Sequence, residues 1–164
     1  MPAFCGQERC LMDENGRIRL SSRFLADLIA ANCTEVVLHG LPEGAIALYP
    51  ESVYREMRQT AREEVERAAV SLAVRRSMRR FGALTEPQAL TRQGRITVPP
   101  LLREYAALTP GRELCLVGVE IGLDIWNCDR YAAEMAAIRE HWTRRGEREM
   151  LADLAAADTN GGLS

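Results

Sequence analysis

Two short segments of this chain carry side chains that are suited to binding an anion. The stretch "NGRIRLSSRFLAD", which begins at Asn15, returns as "QGRITVPPLLREY", which begins at Gln93, and both keep a glycine followed by an arginine, Gly16-Arg17 and Gly94-Arg95. A guanidinium group is a planar fork that pairs with phosphate oxygens and with guanine edges. Glycine adopts the positive φ angles of tight turns and lets the backbone approach a ligand closely. The repeated pair therefore predicts two turns, each presenting an arginine to an anionic partner.

The sequence around the two turns is also duplicated. Ile18 aligns with Ile96, and "EVVLHGLPEGAIALYP" parallels "ELCLVGVEIGLDIWN", in which Tyr49 corresponds to Trp126 after a one-residue slip. The period of this repeat, which is the separation of Ile18 from Ile96, is longer than that of solenoid repeats. The duplication therefore predicts two copies of a small domain.

Behind each turn, aliphatic and polar residues alternate. Ile18 and Leu20 alternate with Arg17 and Arg19, and the second copy repeats this pattern from Arg95 onward. Alternation with a period of two is typical of a half-buried strand, here with arginine on the outer face. The order in each copy is therefore strand, turn and strand.

A short helix and a hairpin follow in each copy. Ser21 can cap a helix over residues 24–31, and the proline pair that begins at Pro99 opens a helix over 101–108. Aliphatic runs on both sides of "HGLPEG" and of "GVEIG" then predict one hairpin per copy.

Longer helical segments follow each hairpin. Residues 51–81 contain neither proline nor glycine, and a second helical stretch runs from about 129 to 156, either continuous or interrupted at Gly146. The last residues, "DTNGGLS", are expected to be disordered. The first segment has apolar residues at the three- and four-residue spacing of one or two helices: Val53, Met57, Ala61, Val65, Ala68 and Leu72.

The segment 51–84 has a local net charge of +3, from eight arginines and five glutamates. Four arginines cluster at its end: Arg75, Arg76, Arg79 and Arg80. Three interpretations stay open for this cluster: a solvated face that pairs with nearby glutamates, a contact with nucleic acid, or an interface between subunits.

The composition sets the broad class of protein. The chain has 164 residues, of which 47% are hydrophobic and 27% charged, as in soluble globular proteins. We expect a cytoplasmic protein, because no apolar run could span a bilayer and no signal segment opens the chain. The net charge of −2 provides no overall attraction to nucleic acid. All 21 basic residues are arginine, which biased genome composition explains as well as selection does.

No arrangement of residues indicates catalysis. Five cysteines without a C-x-x-C pair predict reduced thiols, a Cys5–Cys10 disulfide being the alternative, and His39 and His141 are isolated from other metal-binding residues. Glycine-rich nucleotide loops, nucleophile elbows and paired metal ligands are also missing from the sequence. We therefore expect no catalytic residue, no metal site and no cofactor.

The segments "DENGRIRLSSRF" and "TRQGRITVPPLLREYAAL", each followed by a hairpin, an aromatic residue and a helix, resemble the MraZ family of small bacterial regulators from about Phe4 to Met135. The resemblance implies an α+β fold. Two tandem AbrB-like (SpoVT/AbrB, swapped-hairpin) domains would form a pseudo-symmetric double-ψ-like barrel with flanking helices. The boundaries would be 1–50 and 85–128 for these domains, 51–84 for a connecting helical segment, and 129–164 for a C-terminal helix and disordered tail.

The same resemblance implies a sequence-specific DNA-binding transcriptional regulator. Its target would be repeated boxes in the promoter of the division and cell-wall gene cluster, and it would act as a nucleoid-associated, ring-shaped homo-oligomer. The family's D-x-x-x-R signature is matched by Asp13 and Arg17. The second copy departs from it, with Thr91 in the acidic position, and the first copy has Ser21 where the family has proline.

A two-stranded ribbon of this kind fits the major groove of DNA. Asp13 would hold the Arg17 guanidinium in one pose, and several copies on one assembly would offset the weak binding expected of few arginines. The alternative interpretation is that each Gly-Arg pair does not bind DNA and is only a turn with a solvated arginine that pairs with a neighbouring carboxylate. The predicted DNA-binding residues are Asp13, Asn15, Gly16, Arg17, Arg19, Arg23, Arg92, Gly94, Arg95 and Thr97.

A protein-interaction module of the antitoxin type is the alternative function, because AbrB-like folds also serve in such pairs. Its C-terminal segment would wrap around a partner protein. An ordered amphipathic helix after Asp129 argues against that role.

Overall fold

The structure, a computed structural model, describes residues 4–60, 66 and 71–161. Its strands are β1 (Gln7–Leu11), β2 (Arg17–Arg19), β3 (Glu35–Gly40), β4 (Ile46–Pro50), β5 (Thr85–Ala89), β6 (Arg95–Thr97), β7 (Glu113–Gly118) and β8 (Leu123–Asn127). Its helices are α1 (Ser22–Ala30), α2 (Glu51–Thr60), α3 (Leu72–Ala83), α4 (Pro100–Tyr105) and α5 (Cys128–Asn160). The chain is thus an α+β protein with antiparallel sheets, as the sequence predicts.

The two repeats exchange their first strands. The larger sheet has the order β1-β7-β8-β4-β3-β5, so β1 of the first repeat pairs with the hairpin of the second, and β5 of the second pairs with the hairpin of the first. A second sheet contains β2 and β6, again one strand from each repeat. The two repeats are therefore interlocked within one compact unit, Met1–Cys128, and Asp129–Ser164 forms a second unit.

The strand registers obey an internal two-fold symmetry. Gln7 of the first repeat pairs with Val117 of the second, and the equivalent residues of the opposite repeats, Thr85 and His39, pair in the same way. The central hairpins pair Ile46 with Ile125 and Leu48 with Leu123, which is symmetric for the one-residue slip that the sequence predicts. Both predicted hairpins are thus confirmed, while the two-domain duplication and its closure into a double-ψ-like barrel stay predictions.

Local chemistry explains where the short helices begin and end. Ser21 caps α1 as predicted, since its Oγ accepts a hydrogen bond from the backbone N–H of Phe24. Helix α4 begins at Pro100 but ends three residues before the predicted position. Ala107 has a left-handed φ of 53°, and the N–H of Leu108 bonds to the carbonyl of Arg103, which closes the helix.

One apolar core joins the two repeats. Phe24 and Leu28 of α1 are fully buried, and Leu102 of α4 and the ribbon residues Ile18 and Ile96 are each 1% exposed. These side chains belong to the same cluster as the aliphatic residues of the central hairpins. Neither repeat therefore has a core of its own.

The helical segments differ from the predictions in detail. Helix α5 runs without interruption through Gly146 and continues to Asn160, so the first residues of the predicted disordered tail are helical. The alanine run that ends at Ala157 favours helix, and the Thr159 hydroxyl donates to the carbonyl of Ala155. The predicted stripe positions Ala61, Val65 and Ala68 lie outside the described residues. No helix in the described ranges is long and apolar enough to cross a membrane.

The contact between the two hairpins depends on a glycine. A Cβ atom on Gly122 would lie 2.2 Å from the backbone oxygen of Leu48, which cannot move without breaking the β4–β8 ladder. We expect Gly122→Ala to lower the free energy of unfolding by about 1–3 kcal/mol, measured by urea denaturation. Gly82→Ala is the control, because a Cβ there meets nothing within 4 Å and should stabilise α3 by roughly 0.5–1 kcal/mol. Equal stability of the two variants would contradict this account of the hairpin contact.

Candidate nucleic-acid interface

The two Gly-Arg segments lie side by side in one ribbon. Strands β2 and β6 are antiparallel, with Arg17 opposite Thr97, Ile18 opposite Ile96, and Arg19 opposite Arg95. The ladder is extended by hydrogen bonds of 2.8 Å from Leu20 N to Gly94 O and from Val98 N to Gly16 O. The predicted order of strand, turn and strand is confirmed in each repeat. The strand after each turn, however, takes its ladder partner from the other repeat.

The ribbon has one apolar and one basic face. Ile18 and Ile96 are buried in the core, whereas Arg17, Arg19 and Arg95 are exposed. Arg19 and Arg95 are directly opposite each other, an arrangement of like charges that destabilises a sheet. Among the described residues, neither of these two arginines has an ion-pair partner. Within the described ranges, the outer face thus presents two guanidinium groups that form no ion pair.

The first turn fixes its arginine through Asp13. One carboxylate oxygen accepts hydrogen bonds of 2.9 Å from the backbone N–H groups of Asn15 and Arg17, and the other accepts a 3.0 Å bond from the Arg17 Nε. Gly16 has a φ of 79°, which allows its N–H to bond to the Asp13 carbonyl. The backbone N–H of Arg17 is the largest cause of the lowered pKa of Asp13. Asp13 thus shapes the turn and also orients the Arg17 guanidinium.

The second turn has the same backbone without the carboxylate. The Thr91 hydroxyl accepts a 2.9 Å hydrogen bond from the backbone N–H of Arg95, in the position of Asp13. Gly94 again has a φ of 79° and bonds to the Thr91 carbonyl. The departure from D-x-x-x-R therefore preserves the turn but leaves the Arg95 side chain unclamped.

The two turns also differ in the side chain beneath each glycine. A Cβ on Gly16 would lie 2.6 Å from the Arg103 guanidinium carbon, whereas a Cβ on Gly94 would lie 3.0 Å from a methyl carbon of Leu25. The Arg103 Nε is buried and has no hydrogen-bond partner among the described residues. The sequence prediction did not include Arg103. The repeat could have identified it, because Arg103 aligns with Leu25 when Gly94 is aligned with Gly16.

A shallow depression of about 590 Å³ lies along the basic face. Arg17, Arg19, Arg95 and the carboxylates of Asp13 and Glu14 line it, and Leu11, which is 59% exposed, contributes an apolar surface. Charged forks beside an apolar surface can accommodate phosphate oxygens and base edges.

The remaining predicted residues occupy different positions. Asn15 and Arg92 are exposed in the two turns, and Thr97 is half-buried opposite Arg17. Arg23 lies instead on α1, where its guanidinium donates to the Cys5 carbonyl and lies 5.1 Å from the centre of the Phe24 ring. Arg23 therefore secures the N-terminal segment.

The arginine cluster of α3 is exposed. In the described part of the chain, none of Arg75, Arg76, Arg79 and Arg80 forms an ion pair with a glutamate, and Arg80 donates a 3.2 Å hydrogen bond to the Tyr105 hydroxyl. Within the same residues, no group of three or more His, Cys, Asp and Glu side chains is placed to hold a metal ion. The five cysteines are free thiols.

Comparison with known proteins gives consistent matches. A family model described as "MraZ protein, putative antitoxin-like" matches residues 84–153. The chain is 30% identical to a "Transcriptional regulator MraZ" of Herpetosiphon aurantiacus over 84% of this chain and 95% of that protein. The protein of the same name from Moorella thermoacetica is 34% identical over 78% and 83%. That of Treponema pallidum is 31% identical over 93% and 96%.

The Asp13 carboxyl should titrate below the ordinary aspartate pKa of about 3.9. Because its folded pKa is lowered, Asp13 stabilises the turn above that ordinary value, and this stabilisation is lost as the pH falls through the folded pKa. We expect Arg17→Ala to reduce the shift but not abolish it, since the backbone N–H groups of residues 15 and 17 remain, and Arg19→Ala to keep all of it. Carboxyl-carbon NMR titration measures both. A normal pKa for Asp13 in the wild-type chain would contradict this account of the turn.

Proposed function

Because this chain belongs to the MraZ family, we propose that it is a transcriptional regulator that binds double-stranded DNA through the basic face of the β2–β6 ribbon. The observation that carries the proposal is the opposed pair Arg19 and Arg95, which has no ion-pair partner among the described residues and lies beside Arg17. Two unneutralised guanidinium groups held opposite each other make the face less stable unless an anion lies between or above them. DNA phosphates and guanine edges are anions and acceptors of the matching geometry.

The ribbon would enter the major groove with its arginine side chains toward the bases. Arg17, clamped by Asp13, would reach a guanine with little loss of side-chain entropy. The side chains of Arg19 and Arg95, which no carboxylate of the described residues holds in one pose, would donate hydrogen bonds to a phosphate or to a base. Thr97 would contact a base edge or a methyl group. Arg103 would add positive charge beneath the first turn.

The two turns would contact the DNA backbone on either side of the ribbon. Gly16 and Gly94 permit the tight turns through their positive φ, and these turns would present Asn15 and Arg92 to phosphates. Arg23 stays in the proposed set, because its guanidinium is exposed and the bond to the Cys5 carbonyl leaves other N–H groups that would contact a phosphate.

We also propose the assembly and fold that the family implies. The exchange of β1 and β5 supports two AbrB-like swapped-hairpin domains, 1–50 and 85–128, closed into a pseudo-symmetric double-ψ-like barrel. One ribbon has few phosphate-binding groups, so several ribbons in a homo-oligomer would gain affinity by binding repeated boxes together. The proposed target is the promoter of the division and cell-wall gene cluster. We propose that the regulator is therefore associated with the nucleoid and that it has no enzymatic activity.

We expect the double variant Arg17→Ala/Arg95→Ala to lose binding to the DNA upstream of its own gene. Each base-contacting arginine contributes about 1–3 kcal/mol, and each lost phosphate contact reduces the salt-dependence slope by about 1. Fluorescence anisotropy at several salt concentrations measures both effects. Arg55→Ala is the control for each of the two single variants, because it also removes one arginine charge, but from α2, where Arg55 pairs with Glu51. Wild-type affinity in the double variant would disprove the proposed interface.

A protein-interaction module is the second candidate function. Exposed apolar side chains on α5, including Trp142 and Leu154, and the words "antitoxin-like" in the family description favour it. Limited proteolysis of the purified protein tests it, since a partner-binding arm without its partner should be digested rapidly after residue 130. For the proposed DNA-binding assembly, we expect the 130–160 segment to resist digestion as long as the rest of the chain does.

A further inference from the structure

Helix α5 exposes a large apolar surface. It has 33 residues, which corresponds to a length of about 50 Å. Trp142 is 57% exposed and Met150 is 58% exposed, and Met135 is also exposed. Trp142 makes a contact within the helix, where the Arg145 guanidinium lies 5.1 Å from the centre of its ring.

Some of the exposed residues form a seam centred on Gly146, while Ile138, Leu151 and Leu154 are also exposed and lie roughly 80–140° away from it. At about 100° per residue, the seam positions lie within roughly 40° of the Gly146 direction. They are separated by three or four residues, the spacing of helices that pack side by side. The seam consists of Met135, Arg139, Trp142, Gly146, Met150, Asp153 and Ala157.

Seam residues at equal distances on either side of Gly146 have chemically complementary side chains. Trp142 and Met150 lie four residues on either side, and both are large and apolar. Arg139 and Asp153 lie seven residues on either side and have opposite charges. A two-fold axis through the Gly146 position would therefore place each residue opposite a complementary one.

Two opposite charges on the seam are available for a contact outside the helix. Away from the seam, Glu140 pairs with Arg144, and Arg145 pairs with Glu149 at 3.1 Å, both within the helix. On the seam, Arg139 and Asp153 are exposed, and across the described ranges neither has an ion-pair partner. Glu147 and Arg148 are also exposed without an ion pair in those ranges, but they point away from the seam by roughly 100° or more.

We propose that α5 is an interaction surface for a second copy of this chain, on which the two α5 helices pack antiparallel about a two-fold axis at Gly146. Trp142 then packs on the partner's Met150, Met135 on the partner's Ala157, and Arg139 pairs with the partner's Asp153. The absence of a side chain at Gly146 allows the two backbones to come close at the centre of the contact. This inference rests on the proposed self-association and is independent of the DNA-binding face.

The charges select the antiparallel arrangement over the parallel one. In a parallel pair in register, Arg139 would face a second arginine and Asp153 a second aspartate, which is unfavourable. The antiparallel pair instead forms two ion pairs, one at each end of the apolar centre. A partner of other sequence would have no reason to match a seam that is complementary to itself.

Cross-linking tests the two-fold axis directly. In Gly146→Cys, the two introduced thiols should meet at the axis, so oxidation of the full-length chain should give a 146–146 disulfide between copies, identified by peptide mass spectrometry. Ala152→Cys is the matched control, because position 152 points away from the seam by roughly 120°. The native cysteines are common to both variants. Equal yields from the two variants, or no 146–146 product, would overturn the proposal.

Charge exchange tests the register. Arg139→Asp and Asp153→Arg should each raise the dissociation constant of the helix contact by roughly tenfold, because each places two like-charged pairs in the contact. The double variant Arg139→Asp/Asp153→Arg recreates both pairs and should return the constant to near the wild-type value, measured by sedimentation equilibrium. Circular dichroism of each variant is the control for folding, because it measures whether the helix content is unchanged. A double variant as weak as the single ones would overturn the proposed register.

The outcome is separable from the proposed function. All α5 variants should bind a single DNA box with wild-type affinity, since the ribbon is unchanged. Loss of DNA binding in the Arg17→Ala/Arg95→Ala variant together with an intact 146–146 cross-link supports both proposals. Wild-type DNA binding in that double variant would remove the DNA-binding interface and leave the helix contact standing.

Discussion

The ladder between β2 and β6 is the interaction on which the rest of the structure depends. It joins Ile18 of one repeat to Ile96 of the other, and both side chains are 1% exposed in the common core. Because each strand follows its own Gly-Arg turn, this one ladder brings both turns to the same face. The exchange of β1 and β5 then fixes each hairpin to the other repeat. The arginines are therefore held by long-range pairing, and neither repeat could form the basic face alone.

Much of this organisation was predictable, because it is encoded locally. Alternating Ile18 and Leu20 identify a strand, Ser21 identifies a helix start, and the glycine of each turn follows from its need for a positive φ. The pairing of strands from different repeats could not be predicted, because the alternation of apolar and polar residues identifies a strand without identifying the strand that it pairs with. The early end of α4 depends on the left-handed φ of Ala107. Alanine in a sequence does not indicate a left-handed conformation, so the end of the helix could not be predicted. Arg103 was missed because its contact with Gly16 arises only after the repeats interlock.

The basic face does not add to the stability of the ribbon, because Arg19 and Arg95 are like charges in opposed positions. Arg19 and Arg95 could each have been paired with a carboxylate, as Arg17 is with Asp13, and the ribbon would have lost its repulsion. The turn at Thr91 shows that the backbone needs only an oxygen acceptor at that position, because a hydroxyl supports the same geometry as a carboxylate. The charge at Asp13 strengthens the backbone hydrogen bonds of its turn, and it also holds Arg17 in a fixed pose, which the Thr91 hydroxyl does not do for Arg95.

The two halves of the ribbon share a backbone symmetry that their side chains break. Arg17 faces Thr97, Asp13 corresponds to Thr91, and Arg103 lies beneath the first turn where Leu25 lies beneath the second. A ribbon with equal halves would present the same groups to both DNA strands and would favour a palindromic site. With unequal halves, the two directions along the groove become distinguishable, and under the proposed function one ribbon would recognise an asymmetric box in one orientation. In an assembly, the direction of successive boxes would then follow from the symmetry of the copies, because copies related by a two-fold axis read the DNA in opposite directions and copies related by rotation around a ring read it in the same direction.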